Sequence, residues 1–224
     1  MRKILFYLMM VCFSWHSYGQ LLSEGFESGT FPPSGWAAFI GTNGLGTGQN
    51  WKAAGPAYQG SSAAFVRYES TAGVNEDWLV TPAIDLSAHE NAELTFWTRQ
   101  DFSPDWDSEY YVMVSTTSQT DHASFTEVAF WDESTLNTTY NIYEQKTVDL
   151  SAYAGETIYV AFLFVNDDGD SWYVDDVVVT GDEGGTTDPE YCIPEGVNTA
   201  RYINNFTATG NTDSVSNLAS GFSA

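Results

Sequence analysis

Basic residues are scarce in this chain: 7 Lys and Arg stand against 30 Asp and Glu, giving a formal net charge of -23 over 224 residues. So acidic a surface repels phosphate backbones and anionic lipid, which excludes nucleic-acid or membrane-surface binding through a basic patch. It attracts cations instead. Cysteine is nearly missing, with only Cys12 and Cys192 present, so no internal disulfide framework is available after export. The 3 histidines, His16, His89 and His122, form no H-E-x-x-H pattern, and G-x-S-x-G elbows, Gly-rich phosphate loops and paired-cysteine motifs are lacking too. Zinc and acyl-transfer chemistry are thereby disfavoured. No apolar run reaches the ~20 residues that cross a bilayer, and no long amphipathic helical window occurs.

Aromatics, by contrast, are plentiful. With 8 Trp, 13 Tyr, 14 Phe and 43% hydrophobic residues, the chain can bury a core, unlike acidic disordered tails. Arg2 and Lys3 precede an apolar stretch from Ile4 to Phe13, and Ser17-Tyr18-Gly19 ends in small residues. Residues 1–19 therefore read as a signal peptide cleaved before Gln20. Its loss removes two basic residues and no acid, leaving a mature balance of -25 and a lone Cys192.

From Gln20 to Gly181 the pattern is one of short strands. Leu94 and Phe96 alternate with Thr95, Trp97 and Arg99, while Tyr110, Val112 and Val114 share a face. Thr157–Val165 and Trp172–Val179 are apolar on both faces, as central strands require, apart from Asp175 and Asp176. Turn formers separate these runs at Pro32-Pro33, Gly44 to Gly48, Gly55-Pro56, Gly73, Pro82 and Gly155. The expectation is an all-β, two-sheet jelly-roll sandwich over residues 20–181. Residues 182–190, rich in Gly, Thr, Asp and Glu, read as a linker. Residues 191–224 read as the truncated start of a second β domain, with further domains of the same polypeptide following.

Four ordered blocks carry a family resemblance: Gly25-Phe26-Glu27-Ser28-Gly29 with Pro32-Pro33-Ser34-Gly35-Trp36, Asp77-Trp78-Leu79-Val80-Thr81-Pro82, Val148-Asp149-Leu150-Ser151 and Trp172-Tyr173-Val174-Asp175-Asp176. Together they resemble the cleaved-adhesin, or choice-of-anchor J, family of MAM-like jelly rolls. The resemblance implies a non-catalytic module of secreted or cell-surface Bacteroidetes proteins, within the reach of type IX secretion. Its implied partners are a glycan or an extracellular protein. Tyr191-Cys192 through Gly221-Phe222 is similar to the opening of a GEVED domain.

Calcium is the cofactor that the acidity favours, because Ca²⁺ takes six to eight oxygen ligands and is abundant outside cells. Glu27 lies at the start of the first strand, and Asp175 and Asp176 lie in the last. Such strands are commonly close in a jelly roll, so an ion between Glu27 and one aspartate would tie the chain ends together. Adjacent strand residues point to opposite faces, so only one aspartate is expected to be the main ligand, with Asp175 favoured. Related jelly rolls imply backbone carbonyls from a Gly-Ser loop, here Gly60-Ser61. Strand-end carboxylates facing water are the alternative. Asn166 to Asp170 is read as a hairpin turn rather than an EF-hand loop, since position twelve holds no glutamate.

A second cluster, Asp101, Asp105, Trp106, Asp107 and Glu109, falls in a loop between two strands, where binding residues concentrate. A sugar could stack on Trp106 and donate hydroxyl protons to the acids; solvated loop acids are the plainer reading. Trp36, Trp51, Trp78, Trp97 and Trp172 are assigned to the core. No enzyme activity is expected. Carboxylate-based glycoside hydrolysis, or service as an accessory domain of a secreted protease, is the competing function.

Overall fold

A computed structural model describes residues 18–103, 105–184, 207–209 and 214–216. The chain divides into two compact units, Met1–Gly185 and Thr186–Ala224. The first holds strands β1 (Tyr18–Glu24), β2 (Ala37–Ile40), β3 (Lys52–Ala54), β4 (Ala63–Val66), β5 (Asn75–Val80), β6 (Ile84–Asp85), β7 (His89–Gln100), β8 (Glu109–Ser115), β9 (Thr126–Asp132), β10 (Glu144–Asp149), β11 (Thr157–Asn166) and β12 (Trp172–Glu183). One short helix, α1 (Glu133–Leu136), follows β9. Of the second unit, β13 (Thr207–Thr209) and β14 (Ser214–Ser216) are described, as an antiparallel pair.

The twelve strands build two antiparallel sheets, the jelly-roll sandwich that the alternation predicts. The first runs β10-β7-β12-β4-β3, with β1 also on β12; the second runs β2-β5-β11-β8-β9, with β6 also on β11. Inward residues of the two sheets meet in one core containing Leu94, Phe96, Tyr110, Val112, Phe162, Phe164, Trp172 and Val174. Strand β11 is apolar on both faces because Trp78, Val80, Phe125, Ala161 and Leu163 form a second cluster on the outer side of its sheet. Trp36, Trp51 and Trp172 enter the main core as expected, whereas Trp78 belongs to the outer cluster. Trp97 lies on the outer face of the first sheet, stacked on Tyr58 at 3.6 Å.

Two expectations need correction. The linker does not begin at residue 182, because Asp182 and Glu183 still pair with Glu90 and His89 of β7. Asn166 to Asp170 is not a hairpin turn either: β11 and β12 lie in opposite sheets, so the segment crosses the sandwich. A dipeptide such as Asp-Gly signals reversal of the chain but not whether the next strand rejoins the same sheet. Of the residues assigned to signal peptide, linker and second domain, 1–17, 185–206, 210–213 and 217–224 lie outside the described residues.

Trp172 sits at the centre of this core, fully buried, with its indole N–H donating to Thr98 Oγ1 at 2.8 Å. Replacing it with alanine is expected to cost about 3–5 kcal/mol in a urea titration. A loss below about 1 kcal/mol would contradict the packing described.

Candidate functional site

The first candidate lies where β12 changes partner. Its residues Trp172–Val174 pair with β4, and Val177–Asp182 pair with β1 on the same edge, so the intervening pair falls in a gap. The register against β7 shifts between Asp175 and Val178. Val174 and Val177 both point into the core, which strict alternation forbids; the bulge displaces both aspartates from it. Asp176 carries a φ of 43°, and Phe26, opposite on the segment leaving β1, a φ of 57°. Non-glycine residues held there cost of order 1–3 kcal/mol each, so surrounding contacts must fix them.

Those contacts are carboxylates accepting backbone amides. Asp175 Oδ2 accepts from Tyr58 N–H at 2.7 Å and Gln59 N–H at 3.2 Å, and Oδ1 accepts from Asp176 N–H at 2.8 Å. Glu27 accepts from Ser61 N–H at 2.8 Å, Ser62 N–H at 2.7 Å and Ser61 Oγ at 2.7 Å. One loop, 58–62, is thus held at both ends. Gly60 has a φ of 79°, and a Cβ there would sit 2.6 Å from Glu27 Cδ, so only glycine fits. The Ser61 hydroxyl, followed by the Ser62 and Ser61 amides, holds the exposed Glu27 carboxyl below the usual range.

Glu27, Gly60, Ser61, Asp175 and Asp176 are therefore brought together, but the two aspartates divide their roles differently from expectation. Asp175 is fully buried and spent on loop amides. Asp176 faces the other side: a Cβ on Gly25 would lie 3.3 Å from its Oδ1. Burial, then the charge of Glu27, raises the Asp176 carboxyl. The bulge, invisible to an alternation argument, sets these two orientations. Among the described residues no group of three or more His, Cys, Asp or Glu is gathered around one point, so a cation here would take backbone oxygens alongside Glu27 and Asp176.

The second candidate is the loop between β7 and β8, which two buried carboxylates hold. Asp170 accepts from Asp101 N–H at 3.1 Å and Phe102 N–H at 2.8 Å; Glu133, opening α1, accepts from Trp106 N–H at 2.6 Å and Ser108 N–H at 3.0 Å. So anchored, the loop presents Trp106 and Phe102 to solvent at 51% and 44% exposure. They line a cleft of about 240 Å³ with Tyr68, Ser103, Asp168 and Gly169. Phe102 meets the Tyr68 ring edge-on at 6.0 Å.

Of the five loop residues singled out in the sequence, only Trp106 lines this cleft. Asp101 pairs with Arg99 at 2.8 Å and accepts from the Tyr173 hydroxyl at 3.1 Å, on the outer face of the first sheet. Asp105 closes a local turn with Asp107 N–H at 2.9 Å, and Glu109 accepts from the Tyr111 hydroxyl at 2.7 Å. The cleft's own acid is Asp168, supplied by the segment that crosses between the sheets. The two histidines among the described residues are placed elsewhere: His122 Nε2 meets Ile40 O at 3.0 Å, and His89 opens β7.

An antiparallel jelly roll with looped-out aromatics and a carboxylate-fastened chain end defines an adhesion-type β-sandwich module. Residues 20–179 match the Cleaved Adhesin Domain model, and the chain belongs to that family. It is 30% identical over 200 residues to hemagglutinin A of Porphyromonas gingivalis, covering 77% of this chain. The chain spans only 7% of that protein and 9% of its counterpart from strain W83. Among solved structures, the K3 cleaved adhesin domain of the Lys-gingipain of P. gingivalis W83 is similar at a TM-score of 0.56 and 25% identity, over 73% of this chain and 99% of that one. The K1 domain of the same protein matches at 0.54 and 27%, over 74% and 99%.

Burial raises Asp77 to about 8 and Asp170 and Asp175 each to about 6. Each group binds its proton more tightly folded than unfolded, where the ordinary value is about 3.9. Their contribution to stability is therefore complete below that value and is lost as pH rises through the folded pKa. In the presence of chelator the melting midpoint should fall between pH 5 and 8. Asp77→Asn should flatten the part from pH 6 to 8 and lessen, without abolishing, the fall from pH 5 to 6, where Asp170 and Asp175 still titrate. A midpoint climbing across the whole interval would contradict these shifts.

Proposed function

We propose that this domain is a non-catalytic, extracellular binding module of a secreted or cell-surface protein. In this reading it takes a glycan in the Trp106–Phe102–Tyr68 cleft and is stabilised by calcium at Glu27 and Asp176. The observation that carries the proposal is the pair of exposed rings on a loop fixed by Asp170 and Glu133. Large apolar rings are costly to leave in water without a purpose, and a loop already ordered loses little entropy on contact. Sugar rings stack their apolar faces on such side chains, while Asp168 and Ser103 offer polar atoms to hydroxyls. A glycoside hydrolase would need two carboxylates about 5–9.5 Å apart across the substrate. Asp105 and Glu109 are instead engaged with Asp107 and Tyr111, and Asp168 is the one carboxylate lining the cleft.

At the calcium site, Glu27 and Asp176 would supply carboxylate oxygens and the 58–62 loop its carbonyls. The ion would offset both the burial and the Glu27 charge that raise Asp176. The acidity of the chain supports the same reading.

Binding to a glycan array should weaken at least about tenfold, or about 1.4 kcal/mol, in Trp106→Ala and Phe102→Ala. Stability in both variants should stay within about 0.5 kcal/mol of the parent. Glycan binding that survives both changes removes the cleft from the account. Hydrolysis of a chromogenic glycoside would overturn the non-catalytic assignment. For the metal, calcium at 100 times its dissociation constant should add about 2.7 kcal/mol of stability, a gain reduced in Glu27→Gln/Asp176→Asn. An equal gain in that variant would exclude this pair as the site.

A further inference from the structure

One buried acid makes none of the bonds that engage the others. Asp77 of β5 shares its inward face with Leu79 and Asn75, is 1% exposed, and neither of its carboxylate oxygens receives a hydrogen bond. We propose that Asp77, with Glu69, forms a second calcium site inside one end of the sandwich, separate from the Glu27–Asp176 pair.

Charge gives the first argument. A carboxylate taken out of water without a partner is among the costliest groups a fold can bury. Four basic side chains lie among the described residues, and each is placed elsewhere: Lys52 over Phe65, Arg67 over Tyr68, Arg99 with Asp101 and over Tyr173, and Lys146 beside Glu144. Neutralisation of Asp77 must come from a proton or from a bound cation.

The surroundings favour the cation. Glu69, just beyond β4, is a second negative charge acting on Asp77, and a proton on Asp77 would leave that charge in place. Glu69 Oε2 accepts from Gly48 N–H at 2.9 Å and Gln49 N–H at 2.8 Å, while its Oε1 accepts none. The Gly-rich 44–48 loop packs directly on this region: a Cβ on Gly48 would lie 2.7 Å from Glu69 Oε1. Asn75 Oδ1 already accepts from Thr71 Oγ1 at 2.8 Å, and Asn166, opposite Asn75 on β11, accepts from Glu69 N–H at 3.0 Å. The nearby donors are hard oxygens, with no sulfur or imidazole among them. That set suits calcium, with loop carbonyls and water completing the shell, and does not suit zinc. Trp51 roofs the site through its indole N–H, which donates to the Asp77 carbonyl at 3.1 Å.

The test is calcium stoichiometry by equilibrium dialysis and elemental analysis on the full chain at pH 8, with circular dichroism confirming the fold of each variant. Asp77→Asn, isosteric and uncharged, should bind one ion fewer than the parent. Glu27→Gln/Asp176→Asn should still bind an ion, and that ion should be lost on adding Asp77→Asn. Glu69→Gln, which leaves Asp77 in place, should weaken the same ion by tenfold or more. Unchanged stoichiometry in Asp77→Asn would overturn the proposal and leave Asp77 a protonated core acid. If Glu27→Gln/Asp176→Asn keeps the parent count while Asp77→Asn loses an ion, the chain-end site fails and this one stands.

Discussion

Backbone amides donating to carboxylates hold the loops of this domain in place, and the scarcity of basic side chains explains why. With so few cations available, an acid that is to be partly buried must find N–H groups, which the backbone supplies wherever it is not in a sheet ladder. Glu27 and Asp175 take the 58–62 loop, Glu69 takes 48–49, and Asp170 and Glu133 take 101–108. Each is a charge-assisted bond across a long sequence separation, stronger than a neutral pair. What a disulfide or an ion pair does in other domains is distributed here over about ten such bonds, in keeping with the census in which side chain to backbone contacts follow the ladders.

This constraint links the core to the surface. Asp170 and Glu133 are buried at the end of the sandwich, yet their donors belong to the residues that carry Phe102 and Trp106 outward. The loop is therefore ordered by the interior and not by its own packing. An aromatic surface prepared in this way loses little conformational freedom on meeting a ligand, which distinguishes a binding loop from a connecting one.

The fold was legible in the sequence because period-two alternation and turn formers report directly on sheets. Leu94 and Phe96, or Tyr110, Val112 and Val114, point inward wherever the strand lies in the sandwich. The sites were less legible, for physical reasons. In the sequence Asp175 is favoured over Asp176, but a bulge that alternation does not register turns its side chain to the amides of the 58–62 loop. Asp101, Asp105 and Glu109 looked like one cluster with Trp106, but a loop scatters neighbouring side chains towards different faces. Tyr68 and Asp168, separated by a hundred residues from each other, reached the cleft through the crossing between sheets, which no local pattern encodes. Glu133 lacked any signal at all, since an acid opening a short helix is ordinary.

The unpaired state of Asp77 gains its weight from the same constraint. Where five acids have found amides, a sixth that is as well buried as Asp170, Glu133 and Asp175 and has found none cannot be ascribed to a general tolerance of negative charge. The ladder bonds of β5 with β2 and β11 occupy the local amides on both sides of Asp77, so its inward side chain has no backbone donor to turn to. An acid placed there is stable only when something positive accompanies it. Asp175, one sheet away and equally buried by exposure, shows the contrast: the bulge beside it frees amides, and it is satisfied by them. Position relative to the ladder, more than depth, decides whether a carboxylate in this sandwich holds a loop or is left without a hydrogen-bond donor.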